Sequence, residues 1–321
     1  MFENKPTILS RLHKQSVFEF LARIIKNKYL KLIIFIITVI FISLFIKNNF
    51  NSVRSLMTSD IFKISDFLEI SILLITALIL GGFSWNMILL SLGIKPKWYV
   101  VWYNYYTSSL MRYVPGFIWS FLGKSYFVHE QGSSKNISIT AVILEFFLQI
   151  FSGIAIIALL IPSDLLSISN SISTIIKGFG VLIVVVLLAF PLIIMRGNKK
   201  QQIILIQAKY FLIANLSLYL GWIILGIVFN RLSTILYCSL EISYTIWTNT
   251  LAHIAGIIVI PSINGIGVRE FVLIKCVSTY CPEINTMLVS LIIRVMLLCC
   301  ELFIFGIFSL LKYGFSKHNT K

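Results

Sequence analysis

The chain is 321 residues long and 58% hydrophobic, with a mean hydropathy of +0.93 and a formal net charge of +15. An ordinary soluble domain is about half apolar, so these values exclude that class, and the polar stretches are too short to hold a separate cytosolic catalytic domain. The basic residues flank apolar runs instead of gathering into a patch with interleaved aromatics, which points away from nucleic acid and towards anionic lipid headgroups as partner.

Residues 1–28 read as a cytoplasmic amino-terminal segment. Lys5, Arg11, Lys14, Arg23, Lys26 and Lys28 make it basic, and no small-residue cleavage site follows, so it is expected to stay attached. Within it, "SVFEFLARIIKN" sets Val17, Phe18, Leu21, Ile24 and Ile25 on one helical face, as in an interfacial helix. A single transmembrane domain is expected over 29–315, followed by a short cytoplasmic tail, 316–321.

Crossing the hydrocarbon core takes about 20 helical residues. Apolar runs of that order fall near 29–46, 67–92, 137–161, 178–195, 206–229 and 286–311. Two further runs are interrupted: 99–127 breaks at "RYVPGF", and 244–281 breaks at "PSINGIG".

Lys and Arg collect in cytoplasmic loops. With the amino terminus inside, Lys95 and Lys97 return to the inside, and so do Arg196, Lys199, Lys200 and Lys209. The loop near 162–176, with Asp164 and no basic residue, then lies outside, and a loop over 123–136 with Lys124 and Lys135 lies inside. Arg231 falls outside, whereas Lys312, Lys317 and Lys321 bring the carboxyl terminus inside. Residues 99–127 and 244–281 must each enter and leave by one face. The fold expected is an all-α polytopic protein of the cell membrane, with six full spans and two oppositely oriented re-entrant hairpins. Both halves then read span, span, hairpin, span, the second inverted, which is the pattern of an inverted-repeat transporter. An eight-helix arrangement in which every run crosses is the alternative.

A charge at the bilayer centre costs about 2.5–3.5 kcal/mol on insertion scales, so intramembrane ionisable residues need a partner or a wet cavity. Glu145, Glu270 and Glu301 are the acids in apolar segments, and Arg112, Arg269 and Arg294 are the matching cations. Arg294 and Glu301 are ion-pair candidates two turns apart on the last span. Glu145 shares a helical face with Gln149, and His253 stands one turn from Asn249. Pro115 and Gly116 break the first hairpin close to Arg112. Pro261, Gly265 and Gly267 break the second, where Asn264 offers an amide. Arg269 and Glu270 open the returning helix about 100° apart, so each needs its own partner. Glu270 is expected to be structural, holding a cation from a neighbouring helix. Arg112, Arg269, Asn264 and Glu145 are the candidate substrate-binding residues.

No metal-ligand spacing, cofactor motif or catalytic triad is present, so no metal, cofactor or catalytic residue is assigned. Cys238, Cys276, Cys281, Cys299 and Cys300 are odd in number and lie in apolar surroundings, so they are expected to pack as thiols without a disulfide.

The combination of "RYVPG" with the late "PSINGIGVRE" resembles the lysylphosphatidylglycerol synthase transmembrane family, a flippase-like membrane module, over roughly 25–315. Glu145 is followed by Phe146 where that family often has Glu-Arg, Gln149 replaces an acid, and Asn264-Gly265 stands for a common Gly-Gly. The resemblance implies transfer of an anionic lipid, such as an aminoacyl phospholipid or polyprenyl-linked glycan precursor, between leaflets. It implies a transporter rather than an enzyme, acting in envelope or surface polysaccharide and glycolipid assembly, with envelope enzymes as further partners. The chain stops at Lys321 without the soluble aminoacyl-transfer domain of bifunctional members, so lysyl transfer is not expected. The alternatives are a polyprenyl-phosphate glycosyltransferase using Asp60 or Asp66 as base, and a non-catalytic partner in a biosynthetic complex.

Overall fold

The structure, a computed structural model, describes residues 63–113, 118–162, 169–196, 207–258, 265 and 267–318. The amino-terminal segment, the run near 29–46, Asp60, Asp164 and the tip residues Pro115, Gly116, Pro261 and Asn264 lie outside them.

The described residues are all helical, without strands. The helices are α1 (Ile64–Ser91), α2 (Trp98–Leu110), α3 (Ile118–Glu130), α4 (Lys135–Leu159), α5 (Asn170–Arg196), α6 (Ala208–Ile235), α7 (Ile242–Ile258), α8 (Val268–Val277) and α9 (Glu283–His318). A 3-10 turn, Met111–Tyr113, prolongs α2. Five of them, α1, α4, α5, α6 and α9, are long and apolar enough to cross a membrane. The chain is thus an all-helical, multi-pass membrane protein.

Helix starts follow local chemistry. The Lys63 amide donates to the Asp66 carboxylate at the head of α1 (3.4 Å), and the Ile137 amide donates to the Ser134 hydroxyl at the head of α4 (3.3 Å). Helix α5 begins at Asn170, eight residues before the apolar run suggests, because "NSISTIIK" continues the turn without a breaker.

α1 and α6 pack antiparallel along their whole length. The Gln207 amide donates to the Ser91 carbonyl at one end (2.8 Å), Ser84 donates to the Ala214 carbonyl midway (3.0 Å), and Arg231 meets Glu69 at the other end (2.6 Å). α6 also approaches α7 so closely that a Cβ on Gly226 would lie 2.5 Å from the Ile246 Cα.

The interrupted runs form helical hairpins. In the first, Gly123 of α3 faces Ser108 of α2 and Met111 of the 3-10 turn. In the second, the Tyr244 hydroxyl donates to the Cys276 carbonyl at the base, and Gly256 lies against Gly265 at the tip. α9 is the common rail. Tyr99 of the first hairpin stacks on Phe315 near the carboxyl end of α9, Trp98 meets the same ring edge-on, and Arg112 beside the tip reaches Glu301. The second hairpin starts beside the amino end of α9 and reaches Arg294 with Glu270. The hairpins therefore run along α9 from opposite ends, and Arg112 and Glu270 meet it at residues two turns apart, about 10 Å at the helical rise.

Two expectations are corrected. Lys124 is not in a loop: α3 continues to Glu130, and only four residues separate it from α4. Its ammonium is tolerated inside because Glu145 on α4 neutralises it. The cysteines are not all thiols either: Cys238 and Cys281 form a disulfide, with Cα atoms 5.3 Å apart and a sequence separation of 43. The second hairpin lies between them and folds back on itself, so its base brings the two together. Cys276, Cys299 and Cys300 are free. Alkylation of denatured, unreduced protein is therefore expected to tag three of the five cysteines, and all five after reduction; five before reduction contradicts the pairing.

Candidate functional site

A cavity of about 210 Å³ opens between the two hairpins, and every described helix except α5 contributes to its wall. Its charged lining residues are Arg112, Lys124, Glu145, Arg269 and Glu301.

Lys124 is held by both oxygens of Glu145, at 2.6 and 2.8 Å, and lies over the Tyr105 ring, 4.5 Å from its centroid. Arg112 pairs with Glu301, which is fully buried on α9, and its Nε donates to the Ser109 carbonyl (2.9 Å). The Tyr113 hydroxyl donates to the second Glu301 oxygen at 3.2 Å. Two cations and two acids thus enter the cavity already joined, as burial of charge requires.

Arg269 differs. Its Nε is buried with no hydrogen-bond partner, and no carboxylate pairs with it among the described residues. Its stem rests on two glycines: a Cβ on Gly256 would lie 2.9 Å from the Arg269 Cγ, and one on Gly265 would lie 2.9 Å from its Nε. Gly265 also has φ +72 and Gly267 φ +85, left-handed values that glycine adopts without strain. The tip sequence therefore supplies both the turn and the seat of the guanidinium.

Glu270 points away from that cavity. One oxygen accepts from the Gly267 amide at 2.8 Å, capping α8, while the other meets Arg294 at 2.7 Å and the Ser290 hydroxyl at 3.0 Å. Arg294 also donates to the Gly265 carbonyl (3.3 Å). Arg294 and Glu301, two turns apart on α9, do not pair with each other; each ties a different hairpin tip to that helix. Gln149 lines the cavity beside Glu145, and His253 does so with Nδ1 donating to the Asn249 carbonyl (2.9 Å) and its ring edge-on to Trp222.

Among the described residues no group of His, Cys, Asp and Glu is arranged to hold a metal ion. Asp66 caps α1, far along that helix from the cavity-lining Ala77 and Gly81. Sequence reasoning missed Lys124 as a lining residue, because a lysine between two apolar runs carries the signature of a loop. No protein-family pattern and no curated protein matches this chain.

Proposed function

We propose that this chain is a flippase-like transporter, not an enzyme, that moves an anionic lipid or polyprenyl-linked glycan precursor between leaflets of the plasma membrane in envelope or surface-polysaccharide assembly. The observation that carries the reading is Arg269, whose Nε is buried without a hydrogen-bond partner and which meets no carboxylate among the described residues, at the wall of a cavity lined by both hairpins. A cation left uncompensated inside a membrane protein is costly unless a ligand supplies the counter-charge.

In this reading the run near 29–46 adds a sixth span, α2–α3 and α7–α8 are re-entrant, and the halves form an inverted repeat with its site at midplane. The opposed approach of the hairpins along α9 supports it. Orientation follows from redox and charge together. Disulfides persist in oxidising compartments, so the Cys238–Cys281 end faces outward, while Lys95, Lys97, Lys135 and Lys209 gather at the opposite end and face the cytoplasm. In a chain without free native thiols, an impermeant maleimide on intact cells should tag Thr234→Cys and spare Gln131→Cys; the reverse pattern sinks the orientation.

The substrate class is tested by the lipid that purifies with the protein. Mass spectrometry of mild-detergent extracts should find an anionic lipid enriched over bulk membrane in the wild type and lost in Arg269→Ala. Retention of a zwitterionic lipid by both proteins contradicts the reading.

A further inference from the structure

We infer that the cavity takes a headgroup with a single negative charge, a phosphodiester, in preference to a doubly charged phosphomonoester or pyrophosphate; the inference rests on the anionic-lipid reading above. Three cations and two carboxylates line the cavity, and both carboxylates are committed, Glu145 to Lys124 and Glu301 to Arg112. Among the described residues one positive charge, on Arg269, is left over. The hairpin-tip residues 114–117, 259–264 and 266 include no Asp, Glu, Lys, Arg or His, so the tips themselves cannot alter that balance. Behind the wall, Glu270 and Arg294 cancel each other.

A monoanion on Arg269 leaves the cavity neutral. A dianion leaves one negative charge uncompensated in a low-dielectric space, or draws Arg112 or Lys124 off its partner and strands Glu301 or Glu145 instead. Both routes end with an unpaired buried carboxylate or phosphate oxygen. Lys124 is hard to recruit, since both Glu145 oxygens and the Tyr105 and Trp85 rings already surround its ammonium. His253 is the lining group whose protonation would raise the positive charge, so the test belongs at pH 8, above the ordinary imidazole value of about 6.5.

Binding to purified wild-type protein is measured at pH 8 for three dihexanoyl lipids: phosphatidylmethanol, a monoanionic diester; phosphatidic acid, a monoester carrying nearly two charges there; and zwitterionic phosphatidylcholine. The methyl ester should bind at least about tenfold more tightly than either other lipid, and Arg269→Ala should bring all three within about twofold. Phosphatidic acid binding as tightly as the methyl ester, or more so, overturns the single-charge inference and leaves an anionic lipid site standing. If neither anion outbinds phosphatidylcholine, the anionic reading falls as well. Dimethyl phosphate competing at the same concentrations as the methyl-ester lipid assigns the site to a soluble diester, which preserves the charge inference and overturns the lipid one.

Discussion

Glu301→Gln should lose most of its folded protein. The side chain is fully buried on α9, and it receives the Arg112 guanidinium and the Tyr113 hydroxyl from the tip of the first hairpin. Removing its charge leaves Arg112 unpaired at the cavity wall; losing one member of a fully buried pair costs about 3–5 kcal/mol, and the 31% exposure of the Arg112 side chain makes that an upper bound. A membrane protein with stability of about 5–15 kcal/mol cannot absorb that without loss of yield. The discriminating control is the double replacement Arg112→Met with Glu301→Leu. Apolar residues of similar volume often substitute for a buried pair at little or no cost, so the double variant should recover much of the thermal stability in detergent. If the single variant unfolds at the wild-type temperature, the pair does not hold the tip to α9.

How much of this was legible in the sequence depends on the range of the interaction. The interruptions near Pro115 and Pro261 are local: proline removes a donor and restricts its neighbour, glycine permits the turn, and a helix cannot pass both unbroken. That Arg269 and Glu270 seek different partners follows from the helical angle between neighbours alone. The partners themselves are not local. Glu145 lies 21 residues from Lys124 on another helix, and Glu301 lies 189 from Arg112, so no spacing rule could link them. Lys124 was misplaced for that reason, its charge being a loop signal until the carboxylate opposite is known. The Cys238–Cys281 bond is equally long-range: both cysteines sit in short turns between helices, but only the return of the α7–α8 hairpin brings them together. The seat for Arg269 was half visible, since Gly265 stands four residues before it whereas Gly256 comes from the preceding helix.

Arg269 and Glu270 should separate function from folding. Glu270 satisfies the α8 amino terminus, Ser290 and Arg294 at once, so Glu270→Gln weakens the tie between the second hairpin and α9 and should lower folded yield. Arg269 has no such tie among the described residues, and Arg269→Ala should fold in near wild-type amounts while losing the charged hydrogen bonds that the proposed headgroup would make. Such bonds contribute about 1.5–3 kcal/mol, which corresponds to roughly ten- to a hundredfold in transport. Arg269→Lys should restore only part, because an ammonium is a point charge and cannot match the planar fork on two phosphate oxygens. The most direct measurement is leaflet exchange in proteoliposomes at matched amounts of folded protein, using a fluorescent phosphatidylglycerol and dithionite to read the outer leaflet. Wild-type protein should accelerate exchange, Arg269→Ala should not, and Arg269→Lys should fall between. Acceleration that survives Arg269→Ala unchanged, or is equal for phosphatidylcholine, contradicts an anion-carrying cavity.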